Sequence, residues 1–78
     1  MALQSKINNF IGRYGVDKLE WFIEQINIGT SGQVIANEFG VSRERVRQWK
    51  NSFGALVTFY QVDPSVLARI KELKKGKG

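Results

Sequence analysis

Gly32-Gln-Val-Ile-Ala-Asn-Glu-Phe-Gly40-Val-Ser-Arg-Glu-Arg-Val-Arg-Gln-Trp-Lys-Asn-Ser-Phe53 reads as two short helices joined by a tight turn. Ile35 and Phe39 share one face of the first helix, and Val46, Trp49 and Phe53 recur at three- and four-residue intervals on the second. Two helices that cross steeply touch only where a side chain is small, and Ala36 supplies that point. Gly40 falls four residues later, where the first helix must end and where a residue without a Cβ reaches positive φ at no steric cost. Val41 then turns inward, so both apolar faces point at one small core.

The ends of these helices are marked as well. Thr30 is followed three residues later by Gln33, the spacing at which two side chains reciprocally satisfy orphan backbone N–H groups, which predicts a helix beginning near Ser31. Ser42 can accept a hydrogen bond from the backbone at the start of the second helix, and Glu44 in its first turn complements the helix dipole.

Over residues 32–53 the chain resembles the helix-turn-helix DNA-binding superfamily. The resemblance is carried by the small residue Ala36, the turn glycine Gly40 and the apolar anchors Ile35, Phe39, Val41, Val46 and Trp49. Within it, Val-Ser-Arg-Glu-Arg-Val-Arg-Gln at 41–48 resembles the recognition-helix segment of the fourth region of primary sigma factors, which reads a promoter element. The Trp49-Lys50 that follows departs from that family and is more similar to small phage, plasmid or transposon helix-turn-helix proteins. The resemblance implies a second helix that enters the major groove of double-stranded DNA.

The outward face of that helix has suitable chemistry. At about 100° per residue, Arg43, Glu44, Arg47, Gln48 and Asn51 fall within an arc of roughly 140°, opposite Val46, Trp49 and Phe53. Arginine can bridge guanine O6 and N7, glutamine or asparagine can pair with adenine, and glutamate can accept from cytosine N4. These five residues are the expected base readers. Glu44 has a second role open to it, as a partner of the helix dipole or an orienter of Arg43 or Arg47. Arg45 and Lys50 project to the flanks, where phosphates would pass. Thr30, Ser31, Gln33 and Ser42 surround the two helix N-termini, whose N–H groups favour phosphate oxygens.

The charge distribution agrees. Of the net charge of +5, the residues through Gly40 contribute −1 (Lys6, Arg13 and Lys18 against Asp17, Glu20, Glu24 and Glu38) and those from Val41 onward contribute +6. A polyanion is expected to meet the second half. For residues 71–78 a solvating role and a polyanion contact are both open.

The chain contains no cysteine and no histidine, which excludes disulfides, thiolate metal sites and imidazole catalysis. Asp17, Glu20 and Glu24 lie at helical spacing but have no accompanying nucleophile, metal cluster or phosphate loop. An enzyme is not expected, nor are cofactors or metals, and the residues name no small-molecule effector. With no leader-like or long apolar segment, a cytoplasmic, nucleoid-associated protein is the expectation.

At 78 residues the expected fold is one all-α domain over residues 1–75, a bundle of about five helices, followed by a flexible basic tail at 76–78. Leu3, Ile7, Phe10, Ile11 and Tyr14 mark a first helix ending near Tyr14. Asp17 is the expected N-cap of a second, with Leu19, Phe22, Ile23 and Ile26 as its apolar stripe and Gly29 as its end. Trp21 lies off that stripe, as cover for the core edge or as a dimer contact, whereas Trp49 is expected in the core. Asp63-Pro64 announces a last helix with Val66, Leu67, Ile70 and Leu73 inward.

Residues 54–62 support two readings. Their β-branched and aromatic content suits a strand, yet Leu56, Val57 and Tyr60 continue the stripe of the preceding helix. The stripe favours a helix that breaks near Gly54 and resumes; a strand would find its partner in the same segment of a second subunit. One module of this kind buries only roughly 600–1,000 Å² on DNA, so a homodimer or an array is expected. Residues 54–62 and the last helix are candidates for self-association, or they complete the monomer's core. The implied function is sequence-specific DNA binding in transcriptional control, by a regulator of bacterial, phage or mobile-element origin. The alternatives are an architectural or partition-type protein that assembles along DNA, and a protein-interaction module on the same scaffold.

Overall fold

The computed structural model describes residues 2–56 and 60–75. In chain order the elements are α1 (Ala2–Tyr14), α2 (Val16–Ile28), α3 (Gly32–Phe39), α4 (Arg43–Phe53), β1 (Gly54–Leu56), β2 (Tyr60–Val62) and α5 (Pro64–Lys75). The fold is a small all-α bundle with one two-stranded antiparallel sheet. None of the described helices is long and apolar enough to cross a membrane.

The first four helices each end at a glycine, Gly15, Gly29, Gly40 and Gly54 in turn. The N–H of Gly15 closes α1 onto the Ile11 carbonyl at 2.8 Å, and the same glycine is the N-cap of α2. Asp17 is therefore not the cap expected from sequence. A single-residue connection leaves no room for a separate capping residue, so Asp17 falls in the first turn, and its carboxylate accepts from Lys74 Nζ on α5 at 3.0 Å. Glu20 accepts from the same ammonium at 2.9 Å. These two hydrogen bonds hold the Lys74 pKa above its ordinary value, Glu20 having the larger effect.

The expected Thr30–Gln33 capping pair does not form. Gly29 enters the left-handed region and ends α2, and the Thr30 N–H then bonds the Gln25 carbonyl at 2.9 Å, which makes Thr30 part of that ending. Its hydroxyl donates to Gln25 Oε1 at 2.7 Å. Ser31 caps α3 instead, accepting from the Val34 N–H at 3.3 Å, while Gln33 donates forward to Asn37 Oδ1 at 3.0 Å. The α3–α4 turn follows the sequence reading. Gly40 adopts φ 69°, ψ 35°, the Val41 N–H reaches the Ala36 carbonyl at 3.0 Å, and Ser42 caps α4 by accepting from the Arg45 N–H at 3.2 Å.

The helical reading of residues 54–62 is corrected. Gly54 leaves α4 fully extended and pairs with Val62, Ala55 with Gln61 and Leu56 with Tyr60, so each strand finds its partner within the chain and not in a second subunit. Residues 57–59, on which part of that expectation fell, lie outside the described residues, as does the expected tail at 76–78. Gly54 makes the close strand approach possible: a Cβ there would run into the Gln61 carbonyl oxygen and lie 2.8 Å from the Tyr60 ring. Tyr60 folds back over α4 and donates its hydroxyl to the Lys50 carbonyl at 2.7 Å, and the Asp63 N–H reaches the Phe53 carbonyl at 2.8 Å. Two orphan carbonyls at the C-terminus of α4 are thereby satisfied. Burial pushes the Tyr60 phenol up to about 12.

The core takes Ile7 and Phe10 from α1, Leu19, Phe22 and Ile23 from α2, Ile35 and Ala36 from α3, Val46 and Phe53 from α4, and Val66 and Ile70 from α5. Leu67, expected inward, is half exposed. Tyr60, Val66 and Ile70 are buried within the monomer, so the two segments considered for self-association contribute to its own core. Trp49 sits among Phe10, Tyr14, Phe22 and Phe39 with ring centroids 4.8–5.9 Å apart, the distances of edge-to-face aromatic packing. Trp21 covers the edge of this cluster, 5.7 Å from Phe39.

Candidate nucleic-acid interface

Alpha-helical geometry and the core together orient α4. Val46 and Phe53 are buried and Trp49 half-buried, so the opposite side of the helix must face solvent. Arg43, Glu44, Arg47, Gln48 and Asn51 are all exposed there. Glu44 and Asn51 lie nearly opposite the buried stripe, with Arg47 on one side of them and Gln48 on the other. All five expected base-reading residues thus share one ridge.

Glu44 engages Arg47. Its two carboxylate oxygens lie 3.4 Å from Nε and Nη2 of the guanidinium, a loose forked pair one turn along the helix. Both side chains remain well exposed. The contact restricts Arg47 without removing it from solvent, and an exposed pair of this kind is worth only about 0.2–1 kcal/mol. A better acceptor fork, such as the O6/N7 edge of guanine, can therefore displace it at small cost.

A cleft runs along each flank of the ridge. One is bounded by Thr30 and Gly32 from the α2–α3 junction and by Arg43, Glu44, Arg47 and Lys50 from α4. The other lies between α1 and α4 and is lined by Lys6, Asn9, Arg13, Arg45, Gln48 and Ser52, over a floor formed by Phe10, Tyr14, Val41 and Trp49. The expected phosphate-binding residues are thus divided. Thr30 and Lys50 lie on the first flank and Arg45 on the second, while Ser31, Gln33 and Ser42 line neither cleft. The Thr30 hydroxyl is committed to Gln25, and the hydroxyl oxygens of Ser31 and Ser42 are committed to their helix caps.

The α1 residues Lys6, Asn9 and Arg13 line the cleft between α1 and α4 although none of them is among the site residues expected from sequence. Their signal was present as a polar row at three- and four-residue spacing, set off from Ile7 and Phe10. It was hidden because the first half of the chain is acidic in sum. None of the four acidic residues of that half lines either cleft, and three of them are paired elsewhere: Asp17 and Glu20 face Lys74, and Glu38 pairs with Lys18 at 2.7 Å. Comparison with protein-family models, curated proteins and solved structures gave no match.

Proposed function

We propose that this chain binds double-stranded DNA sequence-specifically, with α4 in the major groove, as a small transcriptional regulator of helix-turn-helix type. The observation that carries this reading is the α4 ridge. Five side chains able to read base edges are exposed together on a helix whose back is fixed in an aromatic core, and cations flank it on both sides. An α-helix with its side chains is about 10–12 Å across and the major groove about 12 Å wide, so a helix inserted there has a phosphate strand on each side. Lys50 on one flank and Arg45 on the other meet that requirement. A single module of this area binds DNA weakly, so two copies on adjacent half-sites complete the reading.

The test separates the ridge from the flanks. Arg47→Ala is expected to lose about 1–3 kcal/mol on the preferred sequence and to relax the preference, whereas Lys50→Ala weakens specific and random duplexes alike. Quantitative binding to both duplexes, on variants shown by circular dichroism to be folded, checks it. Equal effects of the two substitutions on the specificity ratio would refute the division of roles.

A further inference from the structure

The cleft between α1 and α4 differs in charge from the one across the ridge. Three cations line it, Lys6 and Arg13 from α1 and Arg45 from α4, and no carboxylate is among its lining residues. Among the described residues none of the three is ion-paired. The opposite cleft contains Glu44, which engages Arg47. Lys6 donates to Ser52 Oγ at 3.1 Å, so its ammonium is held across the cleft towards α4. Asn9, Gln48 and Ser52 add neutral polar groups between the cations.

Like charges gathered in a concave site repel one another, and a polyanion relieves that repulsion while releasing its own counterions. We infer that this cleft seats the sugar-phosphate backbone of one DNA strand, with Lys6 and Arg13 as phosphate ligands contributed by α1. The inference rests on the DNA-binding reading and adds an element to it. The interface then extends beyond α3 and α4 to the first helix, and the strand seated in this cleft is held more firmly than the strand on the side of Lys50, where Glu44 offsets part of the positive charge. Gln48 lines the same cleft and belongs to the reading ridge, so a strand seated here also fixes the depth at which α4 enters the groove.

Salt dependence of duplex binding tests this, because each phosphate ligand lost lowers the magnitude of the slope of log K against log salt by about one. Lys6→Gln and Arg13→Gln keep polar side chains in the cleft, and among the described residues the Arg13 side chain makes no hydrogen bond whose loss would confuse the result. Each single variant is expected to lower the slope by about one and the double variant by about two, with the same fractional loss of affinity on preferred and random duplexes. Unchanged slopes in folded variants, beside a parent protein that binds and an Arg47→Ala variant that loses preference, overturn the α1 contact and leave the ridge standing. A parent protein that binds no duplex at low salt overturns both.

Discussion

Tyr60 shows how one residue can be read correctly for burial and wrongly for backbone. Its place on the continued stripe of α4 predicted an inward side chain, and it is buried, but the chain reaches that position through a hairpin. Periodicity reports which residues the core needs and is indifferent to the path taken. The decisive contact, between the Tyr60 hydroxyl and the Lys50 carbonyl, links residues ten apart and has no sequence pattern of its own. Tyr60→Phe is expected to cost about 0.5–1.5 kcal/mol, since an end carbonyl of α4 loses its donor. The parent should also show an alkaline loss that the variant lacks. With the folded phenol raised to about 12 from an ordinary 10.0, stability is fully present below pH 10 and falls as pH rises towards 12, because the unfolded chain ionises first. Denaturant unfolding of both proteins across that range checks the pair of expectations.

At the scale of elements, the α3–α4 pair was legible because its determinants are local. Ala36 is fully buried, Gly40 has the left-handed conformation its position required, and Ser42 caps as expected. The start of α3 was less legible, since Thr30 and Ser31 are both competent caps and only the left-handed Gly29 decides that Thr30 belongs to α2. Ala36→Leu is expected to destabilise the fold by about 1–3 kcal/mol by forcing α3 and α4 apart. Gly40→Val should act in the same direction, because a β-branched side chain resists the φ of 69° found there. Thermal unfolding without DNA measures both. Variants that melt like the parent and lose only DNA affinity would show that these residues do not set the register of α4.

Over the whole molecule, the linear division of charge was a coarse guide to the surface. It identified the cations of α4 but assigned α1 to an acidic half, although Lys6 and Arg13 stand beside Arg45 across one cleft. Long-range neighbours of this kind follow from the packing of α1 on α4, which no local pattern encodes. The packing of α2 on α5, equally non-local, brings Asp17 and Glu20 to Lys74. The central claim, that the exposed α4 ridge reads DNA sequence, is tested most directly by selecting bound duplexes from a randomised pool with the parent protein and footprinting the selected site. Enrichment of one short sequence and protection confined to it are expected, with binding that weakens as salt rises. Protection that spreads from the site would favour assembly along DNA, and failure to retain any duplex at low salt would contradict the claim.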